Sequence, residues 1–140
     1  VQTCALPILK KSDITDCAVV VTRYFGGILL GTGGLTRAYT KGASIALKAG
    51  GVVEKVQGVD VALHLDYDMI GKVQYVCGQN NWHIEDTEYT DKVIVHILAE
   101  VSVSEVIEKE MTEVSNGKII VEKSDEDIYF KEDNRLYKII

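Results

Sequence analysis

The sequence predicts an α+β protein of two units, one incomplete and one complete, and three observations carry that expectation. Over residues 1–57 a β-branched apolar run gives way to a glycine-dense stretch and then to a long helical pattern. From residue 58 onward, strand and helix periodicities succeed one another in the order β-α-β-β-α-β. The charge also changes sign: residues 1–57 hold seven basic and three acidic side chains (+4), whereas residues 58–140 hold eight basic and eighteen acidic (−10).

In the first unit, Cys17-Ala18-Val19-Val20-Val21-Thr22 lies within Asp16 to Tyr24 and predicts a strand buried on both faces. Five glycines between Gly26 and Gly34 then mark a backbone that turns tightly or admits something closely. A helix is predicted over Leu35 to Ala49, with Leu35, Ala38, Tyr39, Gly42, Ala46 and Ala49 inward. Arg37, Lys41, Ser44 and Lys48 fall on a basic outer face, and Gly50-Gly51 ends the helix. One strand and one helix cannot bury their own apolar faces, so this unit is expected to be part of a larger domain.

In the second unit, alternation of Val59, Val61, Leu63, Leu65 and Tyr67 predicts a half-buried strand. Asp68 is the expected cap of a helix carrying Ile70, Val73 and Cys77 and stopping near Gly78. Strands follow at Trp82 to Tyr89 and Lys92 to Val101, joined by the turn Thr90-Asp91. Ser102 to Glu105 matches a capping box for a helix with Val106, Ile107, Met111 and Val114 on its apolar side, ended by Asn116-Gly117. A last strand spans Lys118 to Val121 and resumes at Ile128-Tyr129-Phe130. That order is the split βαβ, or ferredoxin-like, arrangement of an antiparallel four-stranded sheet with two helices on one face, complete within residues 58–130.

Composition bounds the function. With 46% hydrophobic and 26% charged residues, the chain has the make-up of a folded globular protein. No apolar run is long enough to span a membrane, and the first nine residues lack the features of a signal peptide, so a cytoplasmic protein without membrane contact is predicted. Cys4, Cys17 and Cys77 are odd in number and lack zinc or dithiol spacing. Reduced thiols are expected, with Cys17 and Cys77 buried as small hydrophobes. No metal or cofactor is predicted.

The candidate site is the stretch from Arg23 to Arg37. Backbone N–H groups freed by Gly26, Gly27, Gly31, Gly33 and Gly34, together with Thr32, could cradle an anion ahead of a helix. The stretch lacks the lysine of a P-loop and any Gly-x-Gly-x-x-Gly, so a purely structural turn competes with that reading. Arg23, Tyr24 and Phe25 place a guanidinium beside two aromatics, a combination that stacks bases or anchors protein contacts. If Tyr24 points inward, Arg23 and Phe25 face out, and Arg37 and Lys41 extend the cationic face. An RNA partner would be drawn to this unit and repelled by the acidic one. His64, His83 and His96 lack ligand spacing, and no nucleophile, base and orienting group assemble, so binding is favoured over catalysis.

The run Arg23-Tyr24-Phe25-Gly26-Gly27-Ile28-Leu29-Leu30-Gly31-Thr32-Gly33-Gly34-Leu35-Thr36-Arg37-Ala38-Tyr39 resembles the signature of the YigZ/IMPACT family. The following unit, with Tyr67 and Gly71-Lys72, resembles the C-terminal domain of bacterial members, so the likeness covers Leu6 to Phe130. The resemblance implies an N-terminal domain with the fold of the second domain of ribosomal protein S-five, and a C-terminal domain similar to one in elongation factor G. It also implies regulation of translation, with the ribosome, RNA or a translation-associated protein as partner. The family's N-terminal portion is usually longer, and its Gly-Thr-Ala-Gly-x-Pro segment falls on Gln2 to Pro7, where only Thr3 and Pro7 agree. The alternative function is an enzyme acting on a phosphorylated small molecule held at Gly31 to Gly34. A third role is pairing or dimerisation through the open sheet face and edges of the acidic unit.

Overall fold

A computed structural model describes residues 6–140. Cys4 and the segment compared with the family's Gly-Thr-Ala-Gly-x-Pro, up to Ala5, lie outside the described residues. The chain divides into two units, Val1–Val52 and Val53–Ile140.

The first unit holds a short helix α1 (Leu6–Lys11) and a twenty-residue helix α2 (Gly31–Gly50). Residues 17–26 form no regular structure, which corrects the strand expected at Asp16 to Tyr24. A strand needs a hydrogen-bonded neighbour, and among the described residues this run has none. Its apolar groups are correspondingly open: Val20 is 88% exposed, and Cys17 is exposed rather than buried. Helix α2 begins four residues earlier than its apolar pattern predicts and takes Gly31, Thr32, Gly33 and Gly34 into its first turn. Of the side chains expected on its inner face, Ala38 and Ala46 are exposed, while Ala43 is the helical residue that becomes fully buried. Gly51, at φ +75°, ends the helix with its N–H donating to the Leu47 carbonyl (3.1 Å).

The second unit centres on the twelve-residue strand β1 (Glu54–Leu65), which starts ahead of the expected residue 59. A single 3₁₀ turn (Tyr67–Met69) leads to α3 (Ile70–Asn80), followed by β2 (Ile84–Tyr89), β3 (Val93–Glu100), α4 (Val101–Ser115) and β4 (Ile120–Lys123). Two further strands, β5 (Asp127–Glu132) and β6 (Arg135–Lys138), complete an antiparallel sheet in the order β2-β3-β1-β5-β6, with β4 beside β1 as well. One edge of β1 is thus shared: residues 61–64 pair with β4 and residues 54–58 with β5, while β3 occupies the other edge.

The period of two decides the layers. Val59, Val61, Leu63 and Leu65 of β1 and Val93, Val95, Ile97 and Ala99 of β3 form one core with Val73 and Cys77 of α3 and Ile107 and Met111 of α4. Each large aliphatic side chain removed from water there contributes about 1.5–3 kcal/mol. On the opposite face, Leu98, Tyr129 and Leu136 form a second cluster against Val56, so the β5–β6 hairpin covers one end of the sheet. Gly58 makes that possible: a Cβ there would stand 2.7 Å from the Ala99 carbonyl oxygen and 2.9 Å from Leu136 Cδ2.

Several ends differ from their sequence signals. Asp68 sits within the 3₁₀ turn and caps nothing, and α3 is closed after Asn80 by Asn81, which takes the left-handed φ of 56°. The capping box at Ser102 to Glu105 does not form, because β3 passes directly into α4 and Ser102 already lies in the helix. Ser104 instead donates to the Val101 carbonyl (2.6 Å), and Val106 is half exposed while Val103 packs on the core. The helix closes as expected at Asn116 (φ 52°) and Gly117 (φ 79°), whose N–H donates to the Thr112 carbonyl at 2.9 Å. The β5–β6 loop is the two-residue Asp133-Asn134 turn, both at positive φ, as a tight hairpin turn demands.

Candidate functional site

The predicted site residues are all on the surface, yet they do not make one face. Arg23, Tyr24 and Phe25 are each exposed; Tyr24 at 92% points outward, which corrects the inward orientation expected from strand alternation. Without a strand there is no alternation to turn it in. The Arg23 guanidinium lies 5.6 Å from the centroid of the Phe25 ring, close enough for a cation–π contact worth about 0.5–1 kcal/mol at an exposed position.

Gly26, Gly27 and the residues up to Leu30 form the connecting loop, in which Ile28, Leu29 and Leu30 are also exposed. Gly27 (φ +84°) and Gly31 (φ +74°) adopt backbone angles that exclude other side chains at low cost. Gly33 and Gly34 do not: they are ordinary helical residues, and a Cβ on Gly34 would approach Leu30 Cβ at 3.2 Å. The expected anion cradle ahead of the helix is therefore the first turn of the helix itself, and the Thr32 carbonyl accepts from Thr36 Oγ1 at 3.0 Å.

Arg37 and Lys41 lie further along α2, where Arg37 is the seventh helical residue rather than part of the first turn. Spacings of three and four residues put Arg37, Lys41, Ser44 and Lys48 on one side of the helix. With Ile8 of α1 and Ile45, they line a groove of about 450 Å³. No acidic side chain lines it, and among the described residues Arg37, Lys41 and Lys48 form no ion pair. None of Arg23, Tyr24, Phe25 and the glycines lines that groove. The structure thus separates the predicted site into an aromatic loop and a cationic groove. Ile8, Ile45 and Lys48 are additions to the candidate set; Lys48 was already signalled by its place on the basic face.

Two of the three histidines of the second unit face carboxylates. His64 Nε2 lies 3.0 Å from Glu122 Oε2, and His96 sits between Asp60 (3.1 Å) and Glu88 (3.2 Å). His83 is exposed just ahead of β2 rather than within it. Among the described residues, no group of three or more His, Cys, Asp and Glu side chains is placed to hold a metal ion. Cys77 is buried on the inner side of α3, and that burial pushes its thiol pKa up to about 11. No helix among the described residues is long and apolar enough to cross a membrane.

Comparison with known proteins divides along the same two units. Residues 3–47 match the Impact N-terminal domain, and residues 63–118 match a domain of unknown function, DUF1949. The chain is 37% identical over 113 residues to "IMPACT family member YvyE" of Bacillus subtilis, covering 81% of the chain and 52% of the relative. It is 34% identical over 119 residues to "IMPACT family member" of Haemophilus influenzae (84% and 57%) and 33% identical over 89 residues to "IMPACT family member YigZ" of Escherichia coli (64% and 44%). The chain therefore spans about half the length of these curated relatives. Two family domains in succession, matched separately, together with these identities, place the chain in the YigZ/IMPACT family.

Proposed function

We propose that this chain is a cytoplasmic binding protein of the translation apparatus, whose N-terminal unit contacts the ribosome, RNA or a ribosome-associated protein through the cationic groove of α2. The observation that carries this reading is the juxtaposition of Arg37, Lys41 and Lys48 along one groove, free of acidic neighbours, on a chain whose net charge is −6. Unpaired cations on an otherwise anionic protein attract an anionic partner to one place. The exposed Arg23-Tyr24-Phe25 loop supplies aromatic surface for a base or a protein side chain. We also assign the second unit to the ferredoxin-like class with an added hairpin; the strand order β2-β3-β1-β4 and the common core of α3 and α4 support that assignment. For the first unit, the family's fold of the second domain of ribosomal protein S-five is the assignment the Impact N-terminal match supports.

Co-sedimentation with ribosomes across a salt series tests the reading. The Arg37→Ala, Lys41→Ala double variant should bind more weakly at low salt, with a log–log salt slope smaller by about one for each phosphate no longer neutralised. Unchanged binding and an unchanged slope would remove the groove from the interface.

A further inference from the structure

The groove on α2 extends beyond the part that holds Arg37 and Lys41. A second hollow of about 370 Å³ continues from it, sharing Ile8, Ser44 and Lys48 and adding Ile14, Leu47 and Val52. Along α2 the combined trough runs from Thr36 to Lys48, about 18 Å at the rise of an α-helix. Its lining has two chemistries. Ile8, Ile14 and Leu47 are half-buried, and Ile45 and Val52 remain 57% and 60% exposed, so a run of aliphatic side chains stays in contact with water. Arg37, Lys41 and Lys48 supply the charge, and no acidic or aromatic side chain lines either part.

Those two chemistries discriminate between anionic partners that charge alone would admit. Single-stranded RNA is held by cations on its phosphates and by aromatic side chains stacked on its bases. The trough has the cations but no ring, and Tyr24 and Phe25 lie outside it. A phosphodiester backbone also gains nothing from covering aliphatic side chains. A protein segment with carboxylates on one flank and aliphatic residues beside them uses both chemistries. The spacing fits a helix. Along α2, Arg37 to Lys41 is about 6 Å and Lys41 to Lys48 about 10 Å, the rise of four and of seven residues, which a second helix laid alongside matches with acidic residues at the same intervals.

We infer that the α1–α2 trough receives an acidic amphipathic helix of a protein partner, with aliphatic residues on Ile8, Ile45 and Leu47 and carboxylates toward Arg37, Lys41 and Lys48. Among the partners of the translation reading, on which this assignment rests, it selects a ribosome-associated protein over RNA.

The probe is a stapled synthetic helix of about sixteen residues, with leucines along one face and glutamates spaced four and seven residues apart beside them, titrated with the full chain and followed by fluorescence anisotropy. Its scrambled sequence and an oligouridylate of equal charge are the comparisons. Saturable binding is expected, at least about tenfold tighter than either comparison at physiological salt. Ile45→Gln, at an exposed helical position and preserving both charge and helix propensity, should weaken peptide binding about tenfold and leave the oligouridylate unchanged. Should circular dichroism show α2 disturbed, Val52→Gln, beyond the end of the helix, carries the same test. Lys41→Gln should weaken both ligands and lessen the dependence on salt. Oligouridylate binding as tight as the peptide's, a scrambled peptide of equal affinity, or peptide binding indifferent to the folded variants would each overturn the inference. Ribosome co-sedimentation of the same proteins separates the two readings. Weakening by Arg37→Ala with Lys41→Ala but none by Ile45→Gln keeps the translation reading and refutes the helix, whereas peptide recognition without ribosome binding by any form does the reverse.

Discussion

Gly58 offers the sharpest test of how the second unit is built. Replacing it with alanine adds one methyl group at a point where β1 passes between β3 and the β5–β6 hairpin. The new Cβ would lie 2.7 Å from the Ala99 carbonyl oxygen, 2.9 Å from Leu136 Cδ2 and 3.1 Å from Tyr129 Cδ2. Leu136 and Tyr129 are both buried and could yield only by shifting the hairpin; Ala99 belongs to the ladder that pairs Val59 with Ala99 and Gly58 with Glu100. Overpacking of this kind costs about 1–3 kcal/mol, and an approach to backbone below 3 Å places it at the upper end. Against this, alanine reduces the freedom of the unfolded chain by about 0.4–1 kcal/mol. The net expectation is a loss of about 2 kcal/mol, or a fall in Tm of about 8–16 °C for a unit of this size. Urea and thermal unfolding followed by Trp82 fluorescence measure the second unit alone, since that residue is the only tryptophan. Gly78→Ala is the matched control: it lies within α3 with nothing within 4 Å of the added methyl, and should raise stability by about 0.5–1 kcal/mol. A Gly58→Ala protein as stable as the parent would refute the packing argument.

Three further outcomes follow from the same structure. In the native protein Cys17 should react with a thiol reagent at pH 8 while Cys77 stays protected until unfolding, as mass spectrometry of the labelled peptides would show. Because the Cys77 pKa is raised on folding from 9.0 to about 11, its contribution to stability is fully present below pH 9 and is lost as pH climbs toward 11; Cys77→Ala should flatten that part of the stability profile. Ser115→Ala removes a buried hydroxyl that donates to the Met111 carbonyl (2.7 Å) and accepts from the Ile119 N–H (3.1 Å), so chemical denaturation should show a loss of about 1–3 kcal/mol.

The parts of the structure that were legible in the sequence are those where one residue's burial follows from its neighbours. The alternation in β1 and β3 needed only the period of two, and Asn116-Gly117 needed only the left-handed geometry of a helix end. Where the outcome depended on a distant partner, the signal misled. The run Cys17 to Thr22 has strand chemistry, but strand formation requires a second chain segment, and none is paired with it among the described residues. The capping box at Ser102 presumed a loop before α4, whereas Glu100 ends β3 and Val101 already starts the helix. The β5–β6 hairpin passed unnoticed beyond Phe130 because β6 is only four residues long, residues 131–135 are all polar or charged, and its Asp133-Asn134 turn lacks the glycine that usually marks such loops. In the candidate site, the basic spacing along α2 was readable, but the separation of its groove from the aromatic loop was not.

The shared edge of β1 has a consequence for how this unit comes into being. The first strand to be made is completed by the last: residues 54–58 find their neighbour in residues 127–131, which in turn rest on residues 135–138. During synthesis, the start of β1 must wait as a bare edge until nearly the whole unit has left the ribosome, exposed to any other nascent strand nearby. Trimming the chain ahead of residue 127 would make that transient exposure permanent.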